Sequence, residues 1–207
     1  MLNRVRRLFG RHHDQRPSTR TAVMPAPPAA DDRGPADDFV MPFEIRPLVA
    51  GDAAALAGVF RRAIEQTAAR HYGADAIRAW AASADQPDFA ERLHRGLTLV
   101  ATLHGDYAGF AQLHPADHIE MLYLSPEAAG LGIATLLYQH LEDEARLAGS
   151  RRLTTHASLA ARRFFESVGF QVEEEETVTR QGVPLARYRM TKTLVSAPGT
   201  GSAGAHR

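Results

Sequence analysis

The sequence contains no cysteine, a single lysine, Lys192, and no apolar run long enough to cross a membrane. The lack of cysteine excludes a disulfide scaffold, thiolate metal ligands and a cysteine nucleophile, and it fits a reducing cytoplasm. Because a membrane-spanning helix needs about 20 successive apolar residues, no span is predicted. Acidic and basic side chains balance at 24 each, so no net field draws the chain to nucleic acid or an anionic membrane. These absences favour a cytoplasmic protein that recognises its partners locally.

The 207 residues, with 44% apolar character, are enough for one domain with a core. Residues 1–42 are basic and then rich in Pro, Ala and Asp, which predicts a disordered tail. Within this tail, the apolar spacing from Leu2 to Phe9 leaves open a short amphipathic helix on a membrane surface, although a solvated basic arm is favoured. Residues 195–207 are rich in Gly, Ser and Ala and predict a flexible tail. The domain is therefore expected at residues 43–194.

Hydrophobic periodicity within this domain alternates between strand and helix patterns. A 3.6-residue stripe from Leu56 to Thr67 predicts an amphipathic helix, with Asp52 as its N-cap. Alternating apolar segments predict strands on either side of it and a hairpin across His104-Gly105-Asp106. The order is strand, helices, three strands, helix, strand, helix and a final hairpin. This order predicts one mixed α/β domain without internal repeats.

Two glycines lie between a strand and a helix in "LSPEAAGLGIAT", residues 124–135. A strand, a glycine-bearing turn and a helix N-terminus make an anion site, because the first helical amides are unpaired and the helix dipole adds partial positive charge. A P-loop is excluded because its lysine and hydroxyl are missing. The dinucleotide fingerprint is rejected because it needs a third glycine where Thr135 stands and further strand–helix units. The remaining reading is a domain with one phosphate loop after its third consecutive strand.

The stretch "EMLYLSPEAAGLGIATLLYQHLEDEARLAG" resembles the acyl-CoA binding motif of the GCN5-related N-acetyltransferase (GNAT) family. The resemblance continues through "ASLAARRFFESVGF" and covers essentially all of residues 43–194. Within the family, the hairpins are most similar to the YafP-like small-molecule acetyltransferases. The resemblance implies an α/β acyl-CoA N-acyltransferase fold, with a mixed, mostly antiparallel sheet flanked by helices.

The resemblance also implies which residues bind acetyl-CoA as co-substrate. The backbone of the extended strand would bind pantetheine, and an amide at Leu122 or its neighbour would polarise the thioester carbonyl. Ala129 replaces the usual Gln or Arg of the motif, and Ser158 replaces a usual Asn, so binding should weaken rather than vanish. The full set implied for the co-substrate is Leu122, Tyr123, Leu124, Ala129, Gly130, Leu131, Gly132, Ile133, Ala134, Thr135 and Ser158.

Acetyl transfer to an amine needs a base, because a free alkylamine is protonated at neutral pH. Glu120 is the candidate base, since alternation along the strand puts it on the same face as Leu122. The alternative is a strand-edge carboxylate that pairs with an arginine. Many relatives use a tyrosine to protonate the departing thiolate, and Phe165 takes its place here. Tyr72 and Tyr188 are the candidate replacements.

No metal is expected, because "HPADH", with His114 and His118, lacks a further ligand in register and is read as a loop. The four glutamates 173–176 predict a solvated edge strand, or a surface that attracts a cationic acceptor. The predicted function is direct acetyl transfer from acetyl-CoA to an amine, in particular that of a small molecule. The alternatives are a non-catalytic acyl-CoA binding module and a protein N-acetyltransferase. A homodimer is compatible with each.

Overall fold

A seven-stranded sheet with helices on both faces makes up the computed structural model, which describes residues 43–194. The predicted tails therefore lie outside the described residues. The strands, in chain order, are β1 (Phe43–Pro47), β2 (Leu97–Leu103), β3 (Asp106–Leu113), β4 (His118–Leu124), β5 (Arg152–Ser158), β6 (Gln171–Arg180) and β7 (Val183–Thr193). Their spatial order is β1-β2-β3-β4-β5-β7-β6, and every neighbouring pair is antiparallel except β4 and β5. This is the mixed, mostly antiparallel sheet that the sequence predicted.

Five α-helices connect these strands within residues 43–194. They are α1 (Asp52–Arg62), α2 (Ala74–Ala81), α3 (Phe89–Leu93), α4 (Ile133–Leu147) and α5 (Arg162–Ser167). Two buried clusters hold them on the sheet: α1, α2 and α3 pack on one face through residues such as Leu56 and Phe60, and α4 and α5 pack on the other through Leu137 and Phe165. Within residues 43–194, no helix is both long and apolar enough to cross a membrane.

The helix α1 begins differently from its prediction. Gly51 is the N-cap, in a left-handed conformation, and Asp52 is the first helical residue, without a capping hydrogen bond. The predicted cap was therefore wrong, and the reason is that the carboxylate of Asp52 is occupied elsewhere. It accepts hydrogen bonds from the guanidinium of Arg46, the amide of Val49 and the hydroxyl of Tyr107.

The predicted helix also changes form before it ends. After Arg62 the chain winds as a π-helix over Ala63–Thr67 and then as a 3-10 turn over Ala68–Arg70. Wider π segments inside helices occur frequently at functional sites. Here the wide segment lines a cleft beside β4, through Ala63, Ile64 and Thr67.

Candidate active site

The two central strands β4 and β5 pair over only two positions and then separate. Their parallel register joins His118 to Thr154 and Ile119 to Thr155, and no later residue of β4 has a partner on β5. The hydroxyl of Thr155 donates to the carbonyl of Ile119 at 2.9 Å, at the last paired position. From Leu122 onward, the β5-facing edge of β4 therefore has no strand partner, and an extended ligand can use this backbone for hydrogen bonds.

Glu120 lies at the position where this separation begins. On the other side of β4, the register with β3 passes from Ile119–Leu113 directly to Met121–Gln112, so Glu120 is the extra residue of a β-bulge. Ile119 and Met121 consequently pack into the two opposite cores instead of sharing one face. Simple alternation did not predict this bulge.

Two clefts open from the separation and share five lining residues: Trp80, Leu122, Tyr123, Ser158 and Ala161. We name the first the loop cleft, because it reaches the glycine-bearing loop. Its lining includes Leu124, Ala129, Gly130, Ala134 and Phe164, together with the π segment. Of the residues that the resemblance implied for the co-substrate, Leu122, Tyr123, Leu124, Ala129, Gly130, Ala134 and Ser158 line this cleft.

The glycine-bearing loop turns twice through left-handed backbone before α4 begins. Gly130 has a φ of 78° and Gly132 a φ of 79°, a conformation that side-chain-bearing residues rarely adopt. Apart from the adjacent residues of the chain, no described protein atom lies within 4 Å of where a Cβ would stand at either glycine, so the loop surface is open. Gly132 is the N-cap of α4, and no side chain caps this helix terminus.

The amides of this loop are mostly available to a ligand. Within residues 43–194, the N–H groups of Gly130 and Gly132, and those of the first helical residues 133–135, have no hydrogen-bond partner. Leu131 differs, because its amide already donates to the carbonyl of Ala128 at 3.4 Å and its side chain is exposed. The side chain of Ile133 is buried in the core, and that of Thr135 faces a different surface depression, so these two residues offer their backbone alone. The arrangement fits the binding of a pyrophosphate by a helix N-terminus.

The second cleft lies between β4 and the β6–β7 hairpin, and we name it the hairpin cleft. Its lining includes Tyr72, Glu120, Thr155, His156 and Phe165, and from the hairpin Val178, Arg180, Leu185, Ala186 and Arg187. No motif of the sequence points to His156, Arg180 or Arg187. Each of them is a polar residue on a strand near the implied site. Such residues are too common in strands to be recognised as functional from the sequence.

A network of ionisable side chains occupies one wall of the hairpin cleft. Nε2 of His118 lies 3.5 Å from Oε2 of Glu120, and its ring is 5.0 Å from that of His156. Hydrogen bonding to His118 lowers the pKa of Glu120 below its usual range, so this carboxyl is ionised at neutral pH. Burial, followed by the charge of Arg187, lowers the pKa of His156, which therefore favours its neutral form. The wall thus presents one carboxylate and one unprotonated imidazole.

Tyr72 lines the hairpin cleft, but its hydroxyl is fully engaged. It donates to the carbonyl of Ala186 at 2.7 Å and accepts from the amide of Leu159 at 2.9 Å. The hydroxyl therefore ties the segment after α1 to the end of β5 and to β7. Burial raises the pKa of Tyr72, which makes it a weaker proton donor.

Tyr188 is outside the linings of both clefts. Its ring packs on the α5 side of the sheet beneath the guanidinium of Arg162, 4.6 Å from the ring centroid. Phe165, in the place where relatives have a tyrosine, is buried and contributes to the hairpin cleft. The structure therefore brings Glu120 and Tyr72 together in one cleft lining and leaves Tyr188 outside it.

The two histidines of "HPADH" do not converge on a common point. His118 is bonded through Nδ1 to the hydroxyl of Thr154 at 2.8 Å, while His114 is exposed. Between residues 43 and 194, no three His, Asp or Glu side chains are grouped so that they could hold a metal ion.

Comparison with known proteins assigns the domain. Residues 68–192 match the family model described as an acetyltransferase (GNAT) domain. The chain is 31% identical over 147 residues to the uncharacterized N-acetyltransferase YafP of Escherichia coli (strain K12), covering 71% of this chain and 93% of that protein. It is 41% identical to a structure described as a GCN5-related N-acetyltransferase, "Aminotransferase, Class-II", from Rhodopseudomonas palustris, with a TM-score of 0.72 over 73% of this chain and 95% of the other.

A more distant structure shares the fold. The PaiA N-acetyltransferase of Thermoplasma acidophilum, in complex with coenzyme A, is 22% identical with a TM-score of 0.59, covering 74% of this chain and 100% of the other. The family model and both close relatives agree with the resemblance that the glycine-bearing loop indicated. The chain therefore belongs to the GCN5-related N-acetyltransferase family.

Proposed function

We propose that this protein transfers the acetyl group of acetyl-CoA directly to the amine of a small molecule. The observation that carries the proposal is the meeting of two clefts at the β4–β5 separation. One cleft leads to a loop with unpaired amides, and the other contains an ionised carboxylate. Leu122 and Ser158 line both, so a thioester bound along β4 would face an amine held in the hairpin cleft.

In the loop cleft, the amides of Gly130, Gly132 and residues 133–135 bind the pyrophosphate of acetyl-CoA, and the unpaired edge of β4 binds pantetheine. The methyl side chain of Ala129 can add no hydrogen bond to these contacts. The main-chain amide at Leu122 or its neighbour stabilises negative charge on the thioester oxygen. Ser158, whose Oγ accepts from the amide of Ala161 at 3.2 Å, keeps its own proton for a ligand acceptor.

The chemistry requires a protonated acceptor amine to lose two protons and the thiolate to gain one. Glu120 takes the amine proton, directly or through a water molecule, so that the nitrogen lone pair attacks the thioester carbon. The carbon–nitrogen bond forms, the carbon–sulfur bond breaks, coenzyme A leaves as a thiolate, and the nitrogen loses its second proton to solvent to give the neutral amide. A thiol has a pKa of about 8.5, so the thiolate can be protonated from solvent without a tyrosine in the place of Phe165. Direct transfer is favoured because the sequence has no cysteine to carry the acetyl group.

The covered shape of the hairpin cleft supports a small acceptor. The bond from Tyr72 to Ala186 joins the segment before α2 to β7 across this cleft. An extended polypeptide would have to displace this bond in order to pass through. A protein acceptor would need only to insert one side chain, so peptides remain the second candidate.

The test is acetyl-CoA turnover with a panel of small amines and lysine peptides, followed by release of free thiol. We expect thiol release that depends on a small amine and yields its N-acetyl product. Acetyl-CoA binding without thiol release for any amine would support a non-catalytic acyl-CoA binding module, which the substitutions at Ala129 and Phe165 favour. Turnover with peptides alone would assign a protein N-acetyltransferase.

A further inference from the structure

Arg180 is a charged side chain of the hairpin cleft that the proposed reaction does not use. It is the last residue of β6, partly buried, and it lines the cleft together with Glu120. Among residues 43–194, its guanidinium has neither a hydrogen bond nor an ion pair. A partly buried guanidinium with five unused donors is a ready site for a planar oxyanion.

The other arginines of the same hairpin are paired. Nε of Arg187 donates to Glu176 at 2.6 Å, and Arg189 contacts Glu174 at 2.8 Å. Glu173, Glu174 and Glu176 of β6 thus pair with β7 arginines, while Arg180 has no such partner among residues 43–194. Glutamates 174 and 176 were expected to form a solvated edge or to attract a cation. In the structure they form ion pairs with arginines of the same hairpin.

The acidic groups near the cleft are also engaged elsewhere. Glu120 lies beside His118, and Glu176 contacts both Arg187 and His156. The remaining ionisable side chains of the lining, Tyr72 and Tyr123, are phenols that stay neutral at physiological pH, because burial raises the pKa of both. Arg180 therefore contributes a positive charge to the cleft that no carboxylate among residues 43–194 pairs with directly.

We propose that the acceptor amine carries an oxyanion, a carboxylate or a phosphate, which Arg180 binds while the amine lies at Glu120. This proposal rests on the proposed acetyltransferase function and narrows its substrate class to zwitterionic amines. Glu120 is on β4 and Arg180 is at the end of β6, and β5 and β7 lie between these two strands in the sheet, so the two side chains enter the cleft from separate elements. The acceptor therefore has a spacer between its amine and its anionic group.

The test compares matched acceptors that differ only in this charge. The panel is a series of ω-amino carboxylates from glycine to 6-aminohexanoate, their primary amides, and aminoalkyl phosphates of the same lengths. We expect kcat/KM for a carboxylate or phosphate of favourable length to exceed that of its neutral partner by about tenfold or more. A higher rate for phosphates would assign the phosphate, and a higher rate for carboxylates would assign the carboxylate.

The variant Arg180→Gln should remove this preference. We expect kcat/KM for the anionic acceptors to fall about tenfold to a hundredfold and that for the neutral amides to stay within about twofold. Arg180→Lys should restore part of the preference. Arg189→Gln is the matched control, because Arg189 is on the same hairpin and outside the lining of the cleft.

Two results would overturn the proposal: equal kcat/KM for an acid and its amide across the series, or an equal loss for both in Arg180→Gln. Calorimetry can measure the binding of the same anionic acceptors to the protein saturated with coenzyme A. This measurement tests the oxyanion site independently of whether the acetyl transfer occurs. If no amine is acetylated, charge-dependent binding that Arg180→Gln abolishes still identifies the oxyanion site, and charge-independent binding rejects it.

Discussion

The imidazole of His118 lies 3.5 Å from the carboxylate of Glu120, and the two side chains belong to the same strand, two residues apart. In a regular strand, residues two apart share a face at a wider spacing. This contact is located at the bulge of Glu120. The pairing between β4 and β5 ends at the residue before it. The proposed base therefore lies at a bulge, beside an imidazole, at the point where the pairing of β4 with β5 ends.

Replacing the proposed base should slow the reaction without preventing acetyl-CoA from binding. In Glu120→Gln, the amide keeps the shape of the side chain but cannot accept the amine proton, so kcat should fall by about 10² to 10⁴. Activity should recover towards high pH, where more of the free amine is neutral. Steady-state kinetics over pH 6 to 10, with the affinity for acetyl-CoA measured in parallel, check this expectation.

Two further variants make the assignment specific. Glu144→Gln, at an exposed position on α4, should behave like the wild type. His156→Gln should cost less activity than Glu120→Gln. The reverse order would assign the base to His156, whose neutral imidazole faces the same cleft.

Removing the neighbouring imidazole should shift the pH dependence upward. His118 lowers the pKa of Glu120, so in His118→Gln this pKa rises towards its ordinary value. A base with a higher pKa loses its proton at higher pH, and the acid limb of kcat/KM should move in the same direction. His140→Gln, at an exposed position on α4, is the control. An acid limb that stays in place in His118→Gln would mean that Glu120 does not produce it.

The hydroxyl of Tyr72 should contribute more to stability than to turnover. In Tyr72→Phe, the amide of Leu159 and the carbonyl of Ala186 both lose their partner, at a cost of about 1 to 3 kcal/mol. We expect a lower Tm and a kcat within about threefold of the wild type, because the phenol proton is already donated to Ala186. Tyr188→Phe provides the comparison, since this tyrosine is outside both clefts. A hundredfold loss of kcat in Tyr72→Phe at an unchanged Tm would instead make Tyr72 the proton donor.

Much of this site could be predicted from the sequence, because it depends on local signals. The glycines at 130 and 132 predicted a turn before a helix, and the structure has that turn. This loop, together with the order of strands and helices, indicated the family and the fold, both of which are confirmed. Glu120 and Tyr72, predicted from the resemblance, line one cleft. Their chemical roles stay predictions.

The remaining features depend on contacts between distant parts of the chain. The bulge at Glu120 is set by the register with β3, and the bond of Tyr72 reaches a residue 114 positions away. In the sequence, Arg180 does not differ from the other arginines of the hairpin. Only the ion pairs of Arg187 and Arg189 in the structure show that Arg180 differs from them. The hydroxyl of Tyr138, which is buried on α4, accepts a hydrogen bond from Lys192, 54 positions along the chain. No local pattern contains this information.

The left-handed glycine before α4 should be needed for binding of acetyl-CoA. In Gly132→Val, a β-branched side chain at a φ of 79° strains the backbone and displaces the amides that bind the pyrophosphate. Acetyl-CoA should raise the Tm of the wild type in proportion to the logarithm of its concentration, and this shift should largely disappear in the variant.

Gly51→Val is a matched control for this loop. Gly51 is the N-cap of α1, with a φ of 99° and open space around its Cβ position, so the backbone strain is comparable while the loop is untouched. Both variants should have a lower Tm without ligand, but only Gly51→Val should keep the shift with acetyl-CoA. Full ligand stabilisation in Gly132→Val would make the loop an ordinary structural turn.

The buried carboxylate of Asp52 should make the domain sensitive to acid. Its side chain is 3% exposed and is held by two hydrogen bonds from Arg46, at 2.7 and 3.0 Å, which keep its pKa well below the usual range. Asp52→Asn leaves the guanidinium without its charged partner and should lower the free energy of unfolding by about 3 kcal/mol at neutral pH. Asp85→Asn, which affects an exposed pair with Arg61, should cost less than about 1 kcal/mol.

The pH dependence of this loss distinguishes the ion pair from a simple change of shape. Because the folded pKa of Asp52 is depressed, its stabilising contribution is complete above the unfolded pKa of about 3.9 and declines as the pH falls towards the folded value. The difference in unfolding free energy between the wild type and Asp52→Asn should therefore be constant from about pH 7 to 5 and shrink below about pH 4. Urea unfolding at a series of pH values measures this difference. A gap that stays the same down to pH 3 would show that Asp52 acts through packing and neutral hydrogen bonds, and that its charge contributes little.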